Sequence, residues 1–149
     1  MKVFIAAPYM LFFSPNKGIE INHKSRIEEI IKNFSDYHLE VFSAFSRKNW
    51  IAELDNPEDA VNFDFHGIES SECLFAFIGD SELSQGALIE IGFAAALNKK
   101  IFIFHHVNIP FIPFLINGLH VWTDTVIESY INDDELYEKL ILILNNINV

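Results

Sequence analysis

Glu90 stands in the stretch SQGALIEIGFAAALNKK, Ser84 to Lys100, among Ala87, Leu88, Ile89, Ile91, Phe93 and Ala94. A carboxylate in such apolar company costs several kcal/mol to bury unless a partner or a reaction makes use of it. A capping box would explain it locally, but that needs Ser, Thr, Asp or Asn three residues earlier, and the residue there is Ala87. A helix-start carboxylate complementing the dipole, a buried ion pair with Lys99 or Arg47, and chemistry remain, and the apolar setting favours chemistry. Asp64, in NFDFHGI, is a second candidate. It reads as lying toward the end of a helix, where the dipole disfavours negative charge, although a solvent-facing Asp accounts for it equally well. Two carboxylates in one crevice are the usual equipment for cleaving a glycosidic bond.

Other residues offer binding rather than bond-breaking. Ser84, Gln85 and Gly86 precede the apolar run, and a hydroxyl, a glycine and free N–H groups at a helix start suit a phosphate; an ordinary N-cap fits them as well. There is no Gly-Lys-Ser/Thr of a P-loop. Tyr9 and Trp50 have the flat faces to stack on a base, though aromatics at strand ends are more often core. Arg47 and Lys48 form a rare basic pair in an acidic chain; such pairs usually mark a solvated face, and these two follow a strand where they would meet an anion. The adjacent His105 and His106 lack metal-ligand spacing on one face, and His66 beside Asp64 has too few companions to make a metal site. Cys73, the single cysteine, lies in the apolar CLFAFI and reads as inert packing. It excludes a disulfide framework and suits a reducing cytoplasm.

These residues need a scaffold, and the chain alternates strand and helix. KVFIAA (Lys2–Ala7) reads as a buried strand ended by Pro8, SPNKGIEIN (Ser14–Asn22) as a loop, and SRIEEIIKNF (Ser25–Phe34) as a helix with apolar residues at 27, 30, 31 and 34. LEVFSAF (Leu39–Phe45) is the second strand. Asn56-Pro57-Glu58-Asp59 signals a helix start, with Gly67 weakening that helix near its end. CLFAFI (Cys73–Ile78) is the third strand, Gly79–Ser84 a polar loop, and the Glu90 helix follows, closed by Asn98, Lys99 and Lys100. IFIF (Ile101–Phe104) is a fourth strand, HVW (His120–Trp122) a weak fifth, and Asp133–Asn145 an amphipathic helix. This order implies a parallel sheet with helices on both faces. Ligands in such sheets bind at the carboxyl ends of the strands where the order reverses, and APYM, AFSRKNW and GDSELSQG all land there.

The 149 residues fit one domain, half of them apolar, with fifteen phenylalanines to fill its core. No signal peptide is apparent and no apolar run reaches membrane-span length. The net charge of −11 argues against a broad nucleic-acid surface, while leaving room for one small phosphorylated ligand held by backbone N–H groups.

In combination, the segments FIAAPY with SPNKG, VFSAFSRKNWIAEL, NPEDAVNFDFHGI and CLFAFIGDSELSQGALIEIGFAAALNKKIFIF resemble the nucleoside 2-deoxyribosyltransferase superfamily. Within it the chain looks most like the CMP and hydroxymethyl-CMP N-glycosidases of the blasticidin and mildiomycin pathways. The resemblance runs from about Val3 to Phe104 and, more loosely, to Leu119. Its most specific element is Gly-x-x-x-Glu-x-Gly-x-Ala, here Gly86, Glu90, Gly92 and Ala94. The resemblance implies a three-layer, Rossmann- or flavodoxin-like α/β fold with about five parallel strands, spanning residues 1–149 as one domain.

It further implies that Glu90 is the nucleophile and that Asp64 positions the sugar. Superfamily enzymes that take unphosphorylated nucleosides have Asp where this chain has Ser84, whereas the nucleotide hydrolases have Ser. An Asp would repel a 5′-phosphate to which a Ser can donate. The expected activity is therefore N-glycosidic cleavage of a pyrimidine nucleoside 5′-monophosphate, CMP or a close analogue, without a cofactor. Glu90 would attack C1′ and water would resolve the ester, with the helix N-terminus helping to keep Glu90 ionised. Ser84 and Gly86 would hold the phosphate, Tyr9 and Trp50 would wall the base, and Met10 and Arg47 would line the site. Met10 replaces an Arg of the hydroxymethyl-CMP enzyme and cannot donate to a hydroxymethyl group; Phe45 stands where several relatives have His. The resemblance also implies a homodimer or higher homo-oligomer with shared sites, the apolar VNIPFIPFLINGL being a candidate for the contact. Competing expectations are a deoxyribosyltransferase with a second base as acceptor, a non-catalytic nucleotide sensor, and a flavodoxin-like interaction module.

Overall fold

A computed structural model describes residues 1–8, 21–46, 56–79 and 83–147. Its strands are β1 (Lys2–Ala6), β2 (Glu40–Ser43), β3 (Cys73–Phe77), β4 (Lys100–His106) and β5 (Thr125–Tyr130). Its helices are α1 (Ile21–Asp36), α2 (Pro57–Ser70), α3 (Gln85–Ala96), the single turn α4 (Phe114–Asn117) and α5 (Asp133–Ile147). The strands form one parallel sheet in the order β2-β1-β3-β4-β5. It is the doubly wound α/β arrangement with the flavodoxin-like strand order. The order reverses between β1 and β3, so a ligand belongs at the carboxyl ends of those two strands.

Each sheet face has its own core. On one side Ile27, Ile30 and Phe34 of α1 and Leu136, Leu140 and Leu144 of α5 pack with Val3, Ile5 and Phe75. Phenylalanine supplies the bulk there: Phe75 takes the Phe34 ring edge-on at 4.7 Å and stacks on Phe102 at 4.5 Å. On the other side Ile68 of α2 and Ala87, Ile91, Ala94 and Ala95 of α3 cover Phe4, Ala6, Leu74 and Ala76. The small alanines bring α3 close to the sheet. Gly67 does the same for α2, because a Cβ there would come within 2.7 Å of the Phe42 ring and 2.9 Å of Phe4. The glycine that weakens the helix in sequence is what seats it.

Several boundaries differ from the sequence reading. Asn56 caps α2 as expected, its Oδ1 accepting from Glu58 N at 2.9 Å. α1 begins at Ile21 rather than Ser25, inside the segment read as a loop. β2 stops at Ser43, and Ala44–Ser46 turn into a 3-10 helix. The fifth strand is not HVW: Leu119–Val121 is a 3-10 turn, and the strand lies at Thr125–Tyr130. Trp122 and Val121 are exposed, whereas Val126 and Ile127 pack against the two cores. Asn98 closes α3 in the left-handed region, φ 55°, the backbone shape that ends helices. The lysines after it do not cap α3. Lys99 Nζ reaches the end of α2, donating to Glu69 O at 2.8 Å and Ser71 O at 2.6 Å, and Lys100 pairs with Asp124 at 3.0 Å.

Candidate active site

The ends of β2, β1 and β3 lie side by side, so Ala44–Phe45, Ala7–Pro8 and Ile78–Gly79 share one edge of the sheet. Beyond β3 the backbone turns through Gly79 at φ 121°, a conformation glycine adopts without strain. Ser84 N then donates back to Ile78 O at 3.0 Å, which pins the start of α3 at the point where the strand order reverses. Ser84 is the N-cap: its Oγ accepts from Ala87 N at 3.2 Å, and Leu88 N donates to its carbonyl at 3.1 Å. The cap consumes an acceptor lone pair of the hydroxyl and leaves its proton to donate. In helix geometry the N–H groups of Gln85 and Gly86 point out of the helix start without an intrahelical acceptor. Gly86 is exposed, with nothing within 4 Å of where a Cβ would stand. The cap and the anion cradle, alternatives in the sequence, are thus compatible at Ser84.

Glu90 is buried, 9% exposed, between Ala87, Ile91 and Ala94. It is the sixth residue of α3, in the second turn, about 9 Å along the axis from Ser84. The help expected from the helix dipole fades within the first turn, so the N-terminus does less for this carboxylate than its sequence position implies. The suggested Lys99 partner is committed to the carbonyls at the end of α2.

Asp64 lies at the middle of α2, not toward its end, and is half-buried. The argument from an unfavourable dipole lapses with that placement. A geometric one replaces it: α2 and α3 pack against each other on the same sheet face, and both start at the carboxyl edge. Counting from their first residues, Asp64 lies about 10 Å and Glu90 about 8 Å below that edge. The rings of Phe65 and Phe93 stack at 4.0 Å between the two helices, one residue after Asp64 and three after Glu90. The two acids therefore sit at similar depth on neighbouring helices. Tyr9, Met10, Arg47 and Trp50 lie outside the described residues.

Burial pushes the Cys73 thiol up to about 12, with Glu72 adding to the effect, in keeping with an inert packing role.

A family model described as nucleoside 2-deoxyribosyltransferase matches residues 3–140. No curated protein matches the sequence. Among solved structures, the CMP N-glycosidase BcmB of Clostridium botulinum is 27% identical, with a TM-score of 0.72 over 95% of this chain and 99% of that one. The solution structure of BlsM is also 27% identical, with a TM-score of 0.75 over 89% and 82% of the respective chains. A 2-deoxyribosyltransferase from the psychrotolerant bacterium Bacillus psychrosaccharolyticus shares the fold at 20% identity, with a TM-score of 0.58 over 91% and 90%.

Proposed function

The chain belongs to the nucleoside 2-deoxyribosyltransferase family, and from that premise we propose that it cleaves the N-glycosidic bond of a nucleoside 5′-monophosphate, CMP or a close analogue. The products are the free base and (deoxy)ribose 5-phosphate. One observation carries the reading: a single helix presents a donating hydroxyl at its cap, Ser84, and a buried carboxylate in its second turn, Glu90. That separation, about 9 Å, is on the scale of a sugar phosphate. The likeness to a CMP N-glycosidase over nearly the whole of both chains supports the same substrate class.

In this reading the phosphate binds at Ser84 and the Gly86 N–H, and Asp64 holds the sugar hydroxyls. Glu90 attacks C1′ through an oxocarbenium-like transition state as the C1′–N bond breaks, its electron pair departing with the base. The base takes up a proton from Asp64 or a bound water. Water then adds to C1′ of the glutamyl ester, loses a proton, and returns Glu90 as a carboxylate. Tyr9, Met10, Arg47 and Trp50 are assigned to the base and phosphate ends of the pocket. The enzyme works in the cytoplasm as a homo-oligomer in the same reading.

The test is incubation with a panel of nucleosides and their monophosphates, followed by chromatographic separation of bases. Base should appear from monophosphates and not from nucleosides, and Glu90→Ala should abolish it. Release from nucleosides alone would remove the phosphate assignment. Base exchange is the second reading, favoured by the family's own name; it requires that release depend on an added acceptor base. Nucleotide binding without release under any condition would make the chain a sensor.

A further inference from the structure

His105 and His106 end β4, and the side chains of a strand alternate across the sheet. Along β4, Ile101 and Ile103 pack with α2 and α3, whereas Phe102 and Phe104 pack with α1 and α5. His106 continues the second series: its ring meets Tyr130, of the α1/α5 core, edge-on at 5.4 Å. His105 therefore faces the α2/α3 side, where Ser84, Glu90 and Asp64 are. It is half-buried at the carboxyl edge of the sheet.

The backbone brings Ser84 to the same place. Ile78 N donates to Phe104 O at 3.1 Å, which makes Ile78 the strand partner of His105. A regular parallel ladder would return the Ile78 carbonyl to His106 N. Ser84 N takes that carbonyl instead, at 3.0 Å, and His106 N bonds one residue later, to Gly79 O at 3.4 Å. The start of α3 is thus inserted between the ends of β3 and β4, and Ser84 stands roughly one strand spacing from the His105–His106 backbone. From there α3 runs across the sheet face that His105 shares, so the His105 ring and the first N–H groups of α3 border one space.

His105 Nδ1 lies 3.2 Å from His106 O. A carbonyl only accepts, so Nδ1 carries the hydrogen, and Nε2 is the nitrogen left to meet a ligand. Of the basic side chains described, Lys2, Lys99 and Lys100 lie at the amino ends of the strands, and Arg26, Lys32 and Lys139 on α1 and α5 across the sheet. On the reading that the substrate is a monophosphate, we infer that His105 Nε2 binds its 5′-phosphate beside Ser84, with one proton held between the nitrogen and a phosphate oxygen. Either partner brings that proton: the P–O–H of a phosphate monoanion donates to neutral Nε2, or the imidazolium donates to the dianion. The bond is charge-assisted, and it brings positive charge to an anion's seat in a chain of net charge −11. His105 binds and does not cleave, since Glu90 lies deeper, in the second turn of α3.

Calorimetry of the full chain with ribose 5-phosphate and with cytidine tests it, alongside kcat and KM for CMP. His105→Phe keeps a flat ring and removes Nε2. It should weaken ribose 5-phosphate binding by about 10- to 100-fold, leave cytidine binding unchanged, and raise KM for CMP more than it lowers kcat. His105→Gln, whose amide nitrogen can donate from near the Nε2 position, should recover part of the loss. The wild type supplies a reading that needs no variant to fold: in proton–nitrogen NMR spectra, ribose 5-phosphate should shift the Nε2 resonance of His105. A His105→Phe chain that binds ribose 5-phosphate as the wild type does overturns the inference, as does an Nε2 resonance that ignores the ligand. So does a wild type that fails to bind ribose 5-phosphate, even if it releases base. A wild type that binds ribose 5-phosphate and releases no base overturns the proposed reaction alone, and the binding series still decides for or against His105.

Discussion

The rings of Phe65 and Phe93 lie 4.0 Å apart at an angle of 13°, and they join the two helices that carry Asp64 and Glu90. Beyond the area it buries, an aromatic pair contributes about 0.5–1.5 kcal/mol. Phe93→Ala should cost about 2–3 kcal/mol in urea unfolding and lower kcat more than it raises KM, since the relative placement of the acids would loosen. Phe65→Leu, which keeps apolar bulk, should recover most of the stability and less of kcat. A kcat loss that exceeds the rise in KM in both variants, smaller in Phe65→Leu, would fit this picture; unchanged kcat in both would contradict it.

Glu90→Gln separates a catalytic carboxylate from a structural one. Turnover should fall by at least about 1,000-fold while ligand binding, followed by calorimetry, persists. A variant that melts lower and keeps its activity would mark Glu90 as part of the framework.

Ser84→Asp tests the phosphate cradle without disturbing the helix. Asp caps helices as well as Ser does, so the thermal midpoint should hold. A carboxylate beside the phosphate should raise KM for monophosphates by about 10-fold or more and shift the preference toward nucleosides. The ratio of kcat/KM for CMP to that for cytidine is the readout.

Cys73 sets an alkaline limit. The unfolded thiol ionises near pH 8.5, whereas burial holds the native one protonated to about 12. Below about pH 8.5 the thiol is neutral in both states and its contribution is fully present. As pH rises the unfolded chain loses its proton first, so stability should fall, by about 2 kcal/mol at pH 10, and level off above 12. Cys73→Ala should flatten that part of the profile in urea titrations from pH 7 to 10. Iodoacetamide should label the native thiol only after denaturant is added.

The sheet was largely legible because its central strands are continuous apolar runs, as strands buried on both faces must be. β5 escaped notice because it is half-buried along most of its length and carries Glu128 and Ser129. HVW, read as a weak strand, is instead a 3-10 turn whose Val121 and Trp122 are exposed. Gly67 read as a weakness because propensity is local and the Phe4 and Phe42 rings that demand it are distant in sequence. At the site, Glu90 was visible as a carboxylate in the wrong company. Its depth below the helix start, and the central rather than terminal place of Asp64, needed the true first residues of α3 and α2. The destination of Lys99 could not be read at all, since it spans 30 residues to reach Glu69 O.

That clasp separates two duties. With Lys99 fastening the feet of α2 and α3 together and two stacked rings bracing their middles, the acids take their spacing from the floor of the molecule. Under the proposed function, changes made elsewhere to suit another base would leave the two acids in register as long as these contacts hold.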